Sequence, residues 1–330
     1  MKPQFSITSN GADITSQISD RLLSFSVQDE AGLKSDTFSI SLDDKDQNLA
    51  LPTTSTRLEI KIGYDDLISL GTFYVDEVSV SYPPAKVTVR GKAMGKSLKS
   101  KKTRSWDDQT ISTIVETIAL EHGLTARVGR EFANKKPDHV DQTDESDAHF
   151  LSRIATEYGA IAKPAGENYL FIKQGEGKSA TGQTLKTVEV NIEECTTYNC
   201  TQSERGNYDK IVTKYQDKDD GKEKTVEHEI AGAEQEAVTH RVGKIYPSKE
   251  EAEEAASSMA KDLAAGTTEI SLTIVGRADI FAESPITLTG FRKDPMDGVD
   301  WTIHSVTHTF SNSGYSTRIS CSNKPVETTN

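Results

Sequence analysis

The stretch His139–Gly159, HVDQTDESDAHFLSRIATEYG, decides how this chain is read. Phe150, Leu151, Ile154 and Tyr158 fall at i, i+1, i+4 and i+8, which places them on one side of a 3.6-residue helix and leaves Ser152, Arg153 and Glu157 for the other. Thr143, Asp144 and Ser146 are candidate acceptors for the free N–H groups of the first turn, and Glu145 and Asp147 lie where the helix dipole favours negative charge. Gly159 supplies the stop, because glycine enters the left-handed conformation without a steric penalty. The spacing therefore predicts a polar approach feeding one short amphipathic helix. On an ordinary account the acids only start the helix, and the apolar side is core.

Upstream, Asp107–Leu124 has the pattern of a second helix, with Ile111, Ile114, Val115 and Ile118 on one side, Asp107, Asp108 or Thr110 as cap, and Gly123 as terminator. Its end, IVETIALEHG, can be laid on FLSRIATEYG, matching Ile118-Ala119 to Ile154-Ala155, Glu121 to Glu157 and Gly123 to Gly159. The match is either a weak internal repeat or two ordinary helices ending in glycine. Strands are expected at Ala126–Val128 and Tyr169–Ile172, so residues 99–175 read as a helical α/β unit. It begins with LKSKKTRSW, where Lys99, Lys101, Lys102 and Arg104 form the dense basic run of an acidic protein. That run is either a solvated linker or a docking site for an acidic partner, and Trp106 either anchors that contact or staples the next helix.

Residues 1–98 alternate with period two: Phe5 and Ile7, Leu23–Phe25–Val27, Phe38–Ile40–Leu42, Leu58–Ile60–Ile62–Tyr64, Phe73–Val75, Val78–Val80–Tyr82 and Val87–Val89. The phase changes at Asp76-Glu77, which predicts a bulge that lets one strand serve two parts of a barrel. Asn10-Gly11, Asp43–Asn48, Asp65-Asp66 and Tyr82-Pro83-Pro84 are turns. Short antiparallel strands at this density favour a small barrel or sandwich. After a linker-like 175–184, residues 176–330 return to the same alternation and carry an inserted helix, 248–265, with a Ser248 to Glu251 capping box, an Ala252, Ala255, Ala256, Met259, Leu263 face and Gly266 at its end. The charged turn Gln216–Gly221 joins two strands, and the tail KPVETTN is expected to be disordered. The expected fold class is thus mainly β, two similar small antiparallel β-barrels flanking an α/β unit.

Composition narrows the function. A net charge of −13 argues against a surface built for nucleic acid, and no apolar run approaches the roughly 18 residues of a membrane span. The start, MKPQFSITSNGADITS, has no apolar segment behind its lysine, so folding in the cytoplasm is expected. Cys195, Cys200 and Cys321 have neither CxxC nor histidine-paired spacing, so no disulfide framework or zinc site is indicated. His304 and His308 are four apart in a strand pattern whose phase shifts between them, which does not make a metal pair. No phosphate loop, nucleophile elbow or dinucleotide fingerprint occurs, so no cofactor is expected. With 51 acids, carboxylate pairs prove nothing about catalysis.

Gln142, Glu145-Ser146-Asp147, Phe150-Leu151, Arg153 and Tyr158-Gly159, in that order and spacing, resemble the signature of the phage late control gene D family, the baseplate hub proteins of contractile tails and related injection machines. The likeness extends over most of the chain through Trp106, His122-Gly123-Leu124 and the paired β units. It implies a homotrimeric ring whose six barrels imitate the sixfold tail tube while the other side accepts a trimeric central spike, with tape measure and other baseplate proteins as further neighbours. It implies a place in the virion tail baseplate, or in a tailocin or other injection particle. Trp106, Gln142, Glu145, Ser146, Asp147, Phe150, Leu151, Arg153 and Gly159 are then determinants of the middle domain and of subunit contacts, with a structural role. The competing readings are a peptidoglycan-degrading tail-tip enzyme and a nucleic-acid regulator built on small barrels.

Overall fold

The computed structural model describes residues 2–173, 185–202, 208–217, 221–230, 238–264, 268–291 and 301–323. The expected linker 175–184, the middle of the charged turn at 218–220, the helix stop at Gly266 and the tail 324–330 lie outside them.

The alternating runs form strands in the expected places, and most of them join one 13-stranded sheet. In its first half, Gln4–Ser9 pairs with Arg57–Gly63, which pairs with the long strand Leu67–Ser81; that strand pairs with Lys86–Lys92, which leads through Thr37–Asp43 to Leu22–Glu30. The phase change is a bulge, as expected: the ladder to Lys86–Lys92 shifts between Val75 and Glu77. Residues up to Tyr74 serve Arg57–Gly63 and those from Tyr74 onward serve Lys86–Lys92, so a single strand turns the corner. A second shift, between Leu22 and Ser24, buries Leu22 and leaves Leu23 37% exposed, reversing the alternation expected there. Val80 and Tyr82 are exposed as well, although Val87 and Val89 on the paired strand are buried.

The second half contains Val188–Asn191, Cys195–Gln202, Thr268–Val275, Pro285–Thr289, Trp301–Ser311 and Gly314–Asn323. The halves meet where Ser305–Ser311 pairs antiparallel with Ser24–Glu30, hereafter the seam. Phe25 and Phe310 face each other across it, stacked at 5.3 Å with Phe5 against both. Such aromatic pairs contribute about 0.5–1.5 kcal/mol beyond their area. Each half keeps its own core, one around Phe25, Phe73 and Ile60 and the other around Trp301, Leu288 and Ile319. The sequence-expected β units are therefore halves of one sheet, and among the described residues no strand pairing closes either half into a ring.

Between the halves in sequence lies the middle unit: helices Ile111–Glu121 and Asp147–Glu157 pack on a three-stranded sheet of Thr125–Val128, Asn168–Lys173 and Ala160–Ala165, the last not expected from sequence. The inserted helix, Lys249–Ala264, has company. Strands Lys210–Gln216, Glu223–Glu229 and His240–Tyr246 form a separate sheet under it, where Ala252, Ala255 and Ala256 are fully buried and Thr213 Oγ1 donates to the Ala252 carbonyl at 3.0 Å. Small side chains permit that close approach.

Candidate functional site: a buried ionic cluster between matched helices

The basic run is neither a free linker nor an open docking strip. Lys101–Asp107 is a strand paired antiparallel with His139–Ser146, the stretch read as a polar approach. Alternation turns Lys102, Arg104 and Trp106 to one side, with Arg104 opposite Gln142 and Trp106 opposite Val140. The ladder shifts between Gln142 and Glu145, where Asp144 takes a φ of +49°. This bulge delivers Ser146 to the helix start, where its hydroxyl accepts the His149 N–H.

Asp147 is the first helical residue and is fully buried. Four donors converge on its carboxylate: Arg104 Nη2 at 2.7 Å and Gln142 Nε2 at 2.8 Å on Oδ1, Lys102 Nζ at 2.6 Å and His122 Nε2 at 2.7 Å on Oδ2. Glu121 shares the same cations, accepting from Arg104 Nη1 at 2.7 Å and Lys102 Nζ at 2.6 Å. Gln142 closes the network by accepting from Arg104 Nε at 2.9 Å and donating to the Glu145 carbonyl at 2.9 Å. Two carboxylates thus meet two fixed cations. Burial alone would raise the Asp147 carboxyl, but the hydrogen bonds of Lys102, Gln142 and His122 and the charge of Arg104 outweigh it and bring it down to about 2. Glu121 is lowered in the same way, its burial opposed by Arg104 and Lys102.

All nine residues singled out from the sequence belong to this one region. Trp106 stacks on Phe150 at 6.2 Å, with the Arg104 guanidinium 4.7 Å over its indole, and Phe150 and Leu151 are fully buried in the middle core. Arg153 donates to Glu145 Oε2 at 2.9 Å and to the Asp141 carbonyl at 2.7 Å while lying over Phe150. Gly159 has φ +61°, and a β-carbon there would come within 2.9 Å of Ser258 Oγ on the inserted helix. Sequence reasoning missed Lys102, Arg104, Glu121 and His122 as members. The signal was present in KKTRSW, whose every second residue from Lys102 is long or aromatic.

The two helices are also built alike. Ile111–Glu121 and Asp147–Glu157 are both eleven residues long, each capped by the hydroxyl of the preceding residue, Thr110 or Ser146, and each followed by a positive-φ glycine, Gly123 or Gly159. Each is also preceded by a strand of the two-stranded pair and followed by a strand of the three-stranded sheet.

The site's chemistry is that of a structural joint. Glu121, His122 and Asp147 are, among the described residues, the one grouping close enough to hold a metal ion, but Lys102 and Arg104 already take their carboxylate oxygens. A cation added there would face two fixed positive charges, so the donor set does not fit a metal. Acid catalysis needs a carboxyl that holds its proton near neutrality, and both of these are shifted the other way. The neighbouring cleft of about 250 Å³ is lined by Leu98, Leu124 and Pro164, with His122 and Tyr74 as its ionisable groups. His304 bonds the Ser322 hydroxyl at 2.5 Å, and buried His308 bonds Tyr315 and the Ile280 carbonyl, so neither pairs with the other as a ligand.

Comparison with known proteins agrees with a structural role. The family model described as phage tail baseplate hub (GPD) matches residues 36–314. The chain is 30% identical to the probable baseplate hub protein of Escherichia phage P2, covering 97% of this chain and 92% of that one, and 30% identical to that of Escherichia phage 186, covering 96% and 92%. Among solved structures, the 43 kDa tail protein of prophage MuSo2 from Shewanella oneidensis superposes with a TM-score of 0.73 at 13% identity, over 97% of this chain and 98% of that one. A tail protein from Neisseria meningitidis gives 0.71 at 10%, over 98% and 96%, and the E. coli c3393 protein, a component of the type VI secretion system, gives 0.60 at 13%, over 99% and 78%.

Proposed function

This chain belongs to the phage tail baseplate hub family, whose members are structural proteins, and from that premise we propose that three copies form a ring adapting a threefold central spike to the sixfold tail tube. The observation that carries the proposal is the seam: two β units stand side by side in one sheet within a single chain. Three such chains present six β units, and a closed head-to-tail arrangement meets both symmetries only if the unit is doubled. We read each unit as a small barrel, and the chain as three domains, 1–98, 99–175 and 176–330.

In this reading the middle domain is the rigid spacer. Its helices are locked to each other by Asp147 and its four donors, and Trp106, Gln142, Glu145, Ser146, Phe150, Leu151, Arg153 and Gly159 keep that lock in shape. Partners are the spike, the tube protein and adjoining baseplate proteins, in a particle made in the host cytoplasm. No helix of the described residues is long and apolar enough to cross a membrane. Native mass measurement of the purified chain, alone and with the cognate spike, tests the proposal: a trimer in either condition supports it, and a strict monomer in both overturns it.

A further inference from the structure

Away from the signature, a second set of buried charges lies where the middle unit meets both β units. Lys163, on Ala160–Ala165, sends its Nζ to Asp29 Oδ1 at 3.3 Å, Asp36 Oδ1 at 3.2 Å and the Glu30 carbonyl at 2.5 Å, all in the first β unit. The other Asp29 oxygen accepts the Ala282 N–H at 2.8 Å, from the second β unit. Two more bonds join the β units beside it: the Ala31 N–H to the His304 carbonyl at 2.7 Å and the Gly32 N–H to Glu283 Oε1 at 2.9 Å. Asp29 thus touches all three parts of the molecule. The side chains of Lys163, Asp29 and Asp36 are 10%, 17% and 16% exposed.

The charges here do not balance. Two carboxylates share one ammonium, and among the described residues no second cation bonds either of them. Lys34 is 79% exposed and lies 4.0 Å from Glu30, which also takes the Gln28 amide. Glu283 accepts the Gly32 N–H, and His308, buried nearby on the seam strand, is held neutral. One excess negative charge therefore sits in a site with little water to screen it.

We propose that this cluster is a proton-sensitive clamp: uptake of one proton at Asp36 cancels the excess charge and tightens the hold of the middle unit on the seam. Burial first, and the neighbouring Asp29 second, push the Asp36 carboxyl up to about 6 against the opposing pull of Lys163 and the Glu30 N–H. Because the folded value lies above the unfolded one of 3.8, the folded joint binds the proton more tightly. Its stability rises as pH falls from neutral towards 4, opposite to ordinary acid denaturation. The inference does not depend on ring formation.

Hydrogen–deuterium exchange on the full chain between pH 8 and pH 5, corrected for intrinsic exchange, tests it in segments 29–36 and 160–165. Protection in the unmodified protein, relative to Asp36→Asn, should change about tenfold over this range, since one proton is taken up between those limits. At pH 8 Asp36→Asn should be about tenfold better protected than the unmodified protein, and at pH 5 the two should match. Titration of His308 acts in the other direction but is common to both proteins and cancels in the difference. Lys163→Met should lose protection at pH 8 and regain part of it at pH 5; should that variant not fold, Asp36→Asn alone decides. Identical pH profiles for Asp36→Asn and the unmodified protein would overturn the proposal.

Discussion

Asp147 is fully buried and Asp36 largely so, and both lie beside lysines, yet one carboxyl is brought down to about 2 and the other pushed up to about 6. The difference lies in the count of partners. Asp147 has four side-chain donors, two of them cationic, and its neighbour Glu121 completes a balanced set. Asp36 has one lysine, shared with Asp29, and one backbone N–H. Burial therefore neither stabilises nor destabilises a charge by itself; the matched cluster fixes a geometry, and the unmatched one responds to protons. The matched cluster lies inside the middle unit, and the unmatched one lies where that unit meets the β units.

The largest expected effect tests the matched cluster. Asp147→Ala leaves Lys102 and Arg104 facing a cavity and should cost about 3–5 kcal/mol in urea unfolding, the range for breaking a buried pair from one side. The Asp147 carboxyl is depressed, so its contribution is present above the unfolded value of 3.8 and is lost as pH falls through about 2. The gap between the variant and the unmodified protein should thus persist to about pH 4 and shrink below it. A loss under about 1 kcal/mol would mean that the two clusters do not differ in the way argued.

At the unmatched cluster, Lys163→Met should cost less, about 1–3 kcal/mol at pH 8, because Asp36 can answer the lost cation by taking a proton. Thermal melts at pH 8 and pH 5 should show the cost falling with pH; a larger cost at pH 5 would reverse the comparison. Gly159→Ala should cost about 1–2 kcal/mol, as its φ of +61° penalises a β-carbon that would also press on Ser258. Calorimetry of that variant separates backbone strain from charge as the source of rigidity. Smallest is Glu145→Gln, about 0.5–1 kcal/mol, since Arg153 is partly solvent-exposed and keeps the Asp141 carbonyl.

How much of this was legible in the sequence follows the range of the interactions. Period-two runs located the strands and the bulge after Val75, because alternation against a core is a local pattern. The helix faces and the stops at Gly123 and Gly159 were legible for the same reason. His139–Ser146 was not read as a strand, because it holds Gln142 and Glu145, polar residues whose partners are Arg104 on the neighbouring strand and Arg153 on the following helix. Asp147 looked like a dipole-complementing residue at a helix start, and nothing local distinguishes that from a fully buried hub of hydrogen bonds. The seam joins Ser24 to Ser311, a pairing across most of the chain that no periodicity reports. Beneath the inserted helix, the two strands flanking the charged turn were legible, whereas His240–Tyr246 was not, because its face is largely exposed and carries charges.

Imaging of assembled tail particles at a resolution that separates subunits tests the central claim most directly. The account predicts three copies of this chain in one ring at the tube end, each contributing two neighbouring β units so that six face the tube. Six copies in that ring, or a single copy with one β unit turned away from the tube, would contradict it.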